Sequence, residues 1–206
     1  MKKALIILLF FSSIVFFITS TAVATNIALN KPVTLSGIFG MAGFEYTNQG
    51  WGAQTPLASS STITDGVFLD ENHQWNYDTV WWDESVQVPF LDIDLGGDFL
   101  IDKLVVQADN NDEYIINLFN DSVIQEVVDI PSIIPEWGMI TREISLSTPV
   151  LADLIRFGHY PGGDGDYLYS VSEIQAFNVV PEPTTMLLLS VGLIGLAGAT
   201  RRKLKK

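Results

Sequence analysis

The middle of this chain predicts an all-β fold, a sandwich or barrel of short antiparallel strands. Three observations carry that expectation. Between residues 25 and 180 no apolar pattern is sustained at the 3.6-residue period of a helix. Short runs alternate apolar and polar residues instead, as a strand with one buried face does. Between those runs stand Gly, Asn, Asp and Pro, which supply the backbone angles of turns. Both ends differ sharply from the middle in composition, so the chain divides into a leader at 1–24, one domain at 25–180 and a tail at 181–206.

The leader comes first. Met1-Lys2-Lys3 is basic, Ala4 to Ile18 is apolar apart from Ser12 and Ser13, and Ala22-Val23-Ala24 has the small-x-small spacing that signal peptidase reads. This predicts a signal peptide, export, and a mature chain that starts at Thr25. The strands follow in order. Leu91, Ile93 and Leu95 alternate with Asp92 and Asp94, and Gly96-Gly97 reads as a turn after them. Leu104 and Val106 continue the pattern. Asp109-Asn110-Asn111-Asp112 reads as a hairpin turn before a strand at Tyr114 to Phe119. Leu154 to Phe157 and Tyr169 to Phe177 close the domain. Many short strands of this kind suit a sandwich or barrel.

In the tail, Pro181-Glu182-Pro183 precedes the apolar run Met186 to Ala199, and Arg201-Arg202-Lys203-Leu204-Lys205-Lys206 ends the chain. A helix over 183–200 would be about 27 Å long at about 1.5 Å per residue, close to the roughly 30 Å of a hydrocarbon core. The terminal cations hold that end in the cytoplasm. The two prolines break any helix arriving from the domain. The arrangement resembles the PEP-CTERM sorting signal. That resemblance implies cleavage by an exosortase-type membrane protease after a transient inner-membrane anchorage, with export linked to extracellular polysaccharide. The protein is then a cell-envelope, cell-surface or secreted one.

The charge of the middle restricts partners. Of 11 Lys and Arg, only Lys31, Lys103, Arg142 and Arg156 lie there, whereas Glu182 is the only one of 24 acids outside it. Four cations against twenty-three acids give a net charge of about −19. Such a surface repels phosphate backbones, so nucleic acid is not a partner. Neutral sugars and divalent cations suit it. With no cysteine, the chain has neither disulfides nor thiolate metal sites.

Asn26-Ile27-Ala28-Leu29-Asn30-Lys31-Pro32-Val33, Thr64-Asp65-Gly66 with the downstream Trp75, Trp81 and Trp82, Leu91 to Gly96 with Ile101, Leu154 to Phe157, and Ser172-Glu173-Ile174-Gln175-Ala176-Phe177 occur in that order. Together they resemble the discoidin (coagulation factor type C) domains. The resemblance implies an eight-stranded jelly-roll sandwich of the galactose-binding-like kind. It also implies a structural calcium ion, with Asp65 and Glu173 as side-chain ligands helped by loop carbonyls and Asp70 as a further donor. Calcium suits such oxygen donors, and a carboxylate at Glu173 in an apolar strand end is costly without a partner.

Five tryptophans are many for this length. Trp81 and Trp82 are adjacent, so on a strand they face opposite ways, and one can be core while the other is exposed. An outward Trp or Tyr stacks on a sugar ring. His73, Trp82 and Tyr160 lie in predicted loops and are the ligand-binding candidates. Gly162-Gly163-Asp164-Gly165-Asp166 reads as a plain connection, because a phosphate loop needs a following Gly-Lys-Ser/Thr. With two histidines, no Gly-x-Ser-x-Gly and no His-Glu-x-x-His, catalysis is not expected. The leading expectation is a non-catalytic binding module for carbohydrate. The alternative is a structural surface or matrix protein with no specific glycan. Replacing Glu182 with Ala should leave an uncleaved membrane form in an exosortase-bearing host, visible as a heavier band in the membrane fraction; normal maturation would contradict the sorting reading.

Overall fold

The computed structural model describes residues 24–43, 55–84, 88–134, 137–160 and 167–179. The leader, the Pro181-Glu182-Pro183 motif with its apolar run, Trp51 and the Gly162 to Asp166 stretch lie outside them. Residues Thr25–Val179 form one compact unit. Its described strands are β1 (Val33–Ser36), β2 (Val80–Asp83), β3 (Phe90–Asp109), β4 (Tyr114–Asn120), β5 (Val123–Ile130), β6 (Met139–His159) and β7 (Leu168–Asn178). Among the described residues one 3-10 turn covers Ser60–Thr64. Among the described residues no helix is long and apolar enough to cross a membrane.

The two longest strands make the architecture. β3 pairs through Phe90–Asp94 with β1 and with the second half of β6. After register shifts it pairs through Ile101–Asp109 with β7 and with the first half of β6. Both long strands therefore bend from one layer into the other. One layer runs β1–β3–β6–β4–β5 and the other β2–β7–β3–β6, all antiparallel. This is an all-β curled antiparallel sheet whose seven described strands include two, β3 and β6, that each serve both layers.

Two turns expected from the sequence take other forms. Gly96-Gly97 lies inside β3, at its bend. Gly96 has φ of 73° and its N–H donates to Asp94 Oδ1 at 2.8 Å. The local chemistry is that of a turn, but pairing on both sides carries the strand through it as a bulge. Asn110–Glu113 joins β3 to β4, which pair with β6 and not with each other, so it links the layers and is no hairpin turn. The described hairpin turn is Asp121-Ser122 between β4 and β5, with φ of 50° and 65° at the two residues, as a type I′ turn needs.

The core is the space enclosed by the curl. Leu91, Ile93 and Leu95 from the first half of β3 face Leu104, Val106 and Ala108 from its second half, with Ile116, Leu118, Ile155 and Ile174 between. Trp82 is in β2, not in a loop, and is 1% exposed. Its ring meets Phe39 at 5.6 Å, Tyr169 at 5.7 Å, Tyr114 at 6.2 Å and Phe157 at 6.3 Å. It therefore ties β2 and β7 in one layer to β4 and β6 in the other. Trp81 does face the opposite way, yet it too is buried: it packs edge-on against Trp75 at 5.8 Å, with Leu168, Met139 and Leu69. The stretch from Leu69 to Trp75 covers it. That stretch is pinned by Gln107, whose side-chain amide accepts from Leu69 N at 2.8 Å and donates to Leu69 O at 2.9 Å. Gly138 completes the attachment, because a Cβ there would stand 2.3 Å from His73 O.

The two ends of the sandwich differ. At one, β3 and β6 bend, and the chain enters and leaves: Thr25 N donates to Asn178 Oδ1 at 3.3 Å and Val179 N to Leu100 O at 2.9 Å. At the other, Met139 pairs with Asp109 and His159 with Tyr114. Both ends of β6 thus flank the Asn110–Glu113 connection, and the 131–138 and 160–167 connections emerge there. Truncating Trp82 to Ala should remove about 3–5 kcal/mol of stability, read as a lowered urea midpoint. Trp137→Ala should remove less than about 1 kcal/mol. Equal losses would deny Trp82 its place between the layers.

Candidate functional site

Asp65 and Glu173 are neighbours at the middle of β7, where the Asp65-Gly66 loop reaches the strand. Glu173 is 0% exposed, and its Oε1 accepts from Gly66 N at 3.1 Å and from Gln175 Nε2 at 3.2 Å. Its Oε2 is buried without a partner. Asp65 follows the 3-10 turn, and its Oδ1 accepts from Val67 N at 2.8 Å. The turn is fixed to the N-terminal stretch by Thr64, whose carbonyl accepts from Asn30 N at 2.6 Å and whose hydroxyl donates to Lys31 O at 2.9 Å. Gly66 has φ of 84°, and a Cβ there would press on Leu29 at 2.9 Å, so glycine lets the loop approach Glu173. Burial pushes the Glu173 carboxyl up to about 8; the Gln175 and Gly66 hydrogen bonds pull it down, and the Asp65 charge adds to the rise. An orphaned buried carboxylate oxygen beside a second carboxylate fits a cation. Among the described residues no three His, Asp or Glu side chains form a metal-holding group. A cation here would rest on two carboxylates completed by main-chain oxygens. Asp70 does not join them: it is exposed, and its carbonyl accepts from His73 N at 3.0 Å.

The second region is the loop end. Trp137 is 54% exposed, Tyr167 51% and Tyr160 41%. Tyr160 leaves β6 with its N–H on Glu113 O at 3.0 Å, and Tyr167 enters β7 with its carbonyl accepting from Glu84 N at 2.9 Å. The Trp137 connection is laced to Asn110, whose N–H donates to Gly138 O at 3.1 Å and whose side chain donates to Ile133 O at 3.0 Å. Beneath lies Arg142, buried, donating to Asp109 O at 2.7 Å, Asn110 O at 3.1 Å and Ala108 O at 3.3 Å. Burial lowers its pKa, and Tyr114 with Asp109, Asp112 and Glu71 opposes that. The arginine fixes the start of the Asn110–Glu113 connection from below, and Asn110 in turn holds the residues on either side of Trp137.

His73 pairs its main chain with Met139, next to Trp137, and its Nε2 is 3.1 Å from Tyr77 O. The structure thus sets His73, Tyr160, Trp137 and Tyr167 at one end and withdraws Trp82 into the core. Sequence reasoning did not single out Trp137 or Tyr167. Their signal is position: Trp137 lies between Pro135-Glu136 and Gly138, and Tyr167 closes a Gly/Asp stretch, both outside any alternating run.

Under the rings runs a buried polar chain. Trp82 Nε1 donates to His159 Nδ1 at 3.3 Å. Indole nitrogen only donates, so Nδ1 is bare and the proton sits on Nε2, 3.4 Å from Glu84 Oε2 but without a well-formed hydrogen bond. Tyr169 OH donates to the same oxygen at 3.0 Å. Burial lowers the His159 pKa and Glu84 partly offsets this.

Residues 179–203 match the PEP-CTERM protein-sorting motif, which marks the chain as an exported, cell-surface protein. No curated protein matches the sequence. Among solved structures, the lectin domain of lectinolysin complexed with Lewis B antigen is similar over 75% of this chain and 97% of its own, at 13% identity and a TM-score of 0.51. A Streptococcus pneumoniae fucose binding module is similar over 76% of this chain and 96% of its own, at 12% identity and a TM-score of 0.50. At such identities the fold is what is shared, and it is the discoidin-like, galactose-binding-like β-sandwich.

The His159 chain has a pH signature. Its pKa is held below the ordinary 6.5, so in that window the unfolded chain binds a proton the folded one lacks. Stability contributed by His159 is present above the window and lost as pH falls through it, with a slope of at most about 1.4 kcal/mol per pH unit. Glu173, raised above 4.5, acts oppositely, losing stability as pH rises. The measurement is therefore a difference: urea midpoints of the wild type minus those of His159→Gln should fall from pH 7 to pH 5. A flat difference would remove His159 from the account.

Proposed function

We propose that the domain is a non-catalytic carbohydrate-binding module displayed outside the cell, and that it takes its glycan at the loop end. The observation that carries this reading is the trio of exposed rings, Trp137, Tyr160 and Tyr167, at that end, with the Trp137 connection tied to Asn110, Tyr160 to Glu113 and Tyr167 to Glu84. Rings that stay exposed at the end of a rigid sandwich offer apolar faces to sugar C–H groups and lose little entropy on binding. The two fold neighbours, a lectin domain and a fucose binding module, support the same reading. His73 borders the rings as a hydrogen-bonding group. Trp82 acts through the core beneath them.

A calcium ion belongs to the same proposal. Asp65 and Glu173 would hold it with main-chain oxygens, and it would supply a fixed positive charge that relieves the buried Glu173 carboxylate. It would clamp the Asp65 loop and the N-terminal stretch to β7, far from the rings. Signal peptidase acts after Ala24. An exosortase-type protease acts at Pro181-Glu182-Pro183, after the apolar run has held the chain in the inner membrane as a transient helix. Extracellular polysaccharide is the partner.

A glycan array probed with residues 25–179 tests the binding. Signal should appear, and Tyr160→Ala or Trp137→Ala should cut it about tenfold or more. A blank array would favour a purely structural matrix protein. Calcium is tested by melting. A cation bound only to the folded state at a hundredfold excess over Kd adds about 2.7 kcal/mol. At about 2–4 °C per kcal/mol, Tm should rise by about 5–10 °C. Asp65→Ala should abolish the rise and Glu173→Gln weaken it. Magnesium controls for screening of the acidic surface, and an equal response to both metals would oppose a specific site.

A further inference from the structure

We infer that acid releases the glycan: a proton taken up by buried His159 unsettles Tyr160 and Tyr167, so the loop end grips at neutral pH and loosens below it. The inference rests on the carbohydrate reading above and adds the regulation of that site. It comes from where the His159–Glu84 pair stands in the chain. His159 ends β6, and Tyr160 follows it directly. Glu84 follows β2, and its N–H donates to Tyr167 O at 2.9 Å. Two of the three exposed rings are therefore one peptide bond or one hydrogen bond from the pair. His159 touches no ring face that a sugar would use, so it is a positioning residue.

The present arrangement leaves no room for a second proton on the imidazole. Nδ1 accepts from Trp82 Nε1 at 3.3 Å, so a proton there would set N–H against N–H. Trp82 cannot yield, because Phe39, Tyr114, Phe157 and Tyr169 enclose its ring. The imidazole is stacked on Tyr169 at 4.7 Å with its side chain 1% exposed, so water does not reach the charge. Three elements packed around it present titratable groups. After β2 stands Glu84, with Oε2 at 3.4 Å from Nε2. From β7 comes Tyr169, whose OH donates to that same oxygen at 3.0 Å. From β4 comes Tyr114, paired with His159 along the strands, with its OH turned to Asp112 at 3.4 Å and its ring 5.8 Å from the Arg142 guanidinium. A protonated imidazole leaves Trp82 and closes on Glu84, where it forms a full ion pair. That closure moves the end of β6 and the residue after β2. With them move the Tyr160 N–H on Glu113 O and the Tyr167 carbonyl on Glu84 N–H. Burial holds His159 below the ordinary 6.5, so the change falls on the acid side of that value. Linkage makes the effect mutual: the affinity that the proton removes from the glycan, bound glycan removes from the proton.

Nuclear magnetic resonance of the full-length protein in non-ionic detergent, labelled at His, Trp and Tyr, reads this without a glycan. Between about pH 7.5 and about pH 4.5, the Trp82 indole N–H and the Tyr160 and Tyr167 amides should shift with the midpoint of His159. His159→Gln keeps an acceptor for Trp82 and a donor for Glu84 but takes no proton, so those shifts should vanish. His73, whose Nε2 is 3.1 Å from Tyr77 O and 3.9 Å from Asp78, is the other histidine at this end, and His73→Gln should leave the shifts in place. The glycan array is then read with the full-length protein at about pH 7 and about pH 4.5: wild-type signal should fall at least about fivefold, and that of His159→Gln less than about twofold. Tyr160 and Tyr167 amides that stay still while His159 titrates overturn the inference and leave the carbohydrate reading standing. So does a His159 that remains neutral down to the onset of unfolding, or an equal fall of array signal in wild type and His159→Gln. An array blank at both pH values overturns the carbohydrate reading and the release together.

Discussion

The Trp82 indole touches rings from β4, β6 and β7 and from the stretch after β1, so the two layers share one side chain as their common contact. Much else depends on that contact. β2 is only four residues long and among the described strands pairs with β7 alone; Trp82 is what presses it into the curl. With β2 held, Trp81 is aimed outward, and the stretch from Leu69 to Trp75 has something to cover. With that stretch in place, His73 and Met139 pair, which sets the start of β6 and so the Trp137 connection. The indole N–H continues the dependence through His159 to Glu84, whose own N–H holds Tyr167. A residue with the look of a binding tryptophan thus acts on the loop end entirely from inside.

What the sequence revealed of the fold follows the range of the interactions involved. The strands at Leu91 to Leu95, Tyr114 to Phe119 and Tyr169 to Phe177 were legible because each has one face in the core, and that face writes itself into every second residue. Gly96-Gly97 was not legible, because a bulge inside a bent strand and a turn between two strands ask for the same residues. The choice is made by β1, β6 and β7, which pair on either side of the glycines from far away in the chain. Asp109 to Asp112 failed for a related reason: its composition specifies a reversal but not which strand will lie alongside.

The candidate sites show the same divide. The resemblance to discoidin domains picked out Asp65 and Glu173, and their neighbourhood is set by a glycine hydrogen bond spanning 107 residues. Periodicity alone offered no hint of it. That Trp81 and Trp82 face opposite ways was readable from adjacency. That both are covered was not, since the cover is an aperiodic stretch held to the sheet by the Gln107 side chain and by the pairing of Asn72 and His73 with Met139. Trp137 and Tyr167 were hard to single out because exposure at a loop end is a property of what fails to pack there.

The positions of Thr25 and Val179 at the bend end carry a mechanical consequence. On the proposed function, a module held through Val179 and gripping a polymer by its loops would be loaded lengthwise. β7 takes that load as an inner strand, bonded to β3 on one side and to β2 and the Asn26–Ile27 stretch on the other. Tension along its axis shears the whole ladder at once, and rupture requires many hydrogen bonds to fail together. Had the chain left from the edge strand β5, the same tension would have peeled bonds away one at a time. Drag on the polymer would then have unravelled the domain long before it broke the grip.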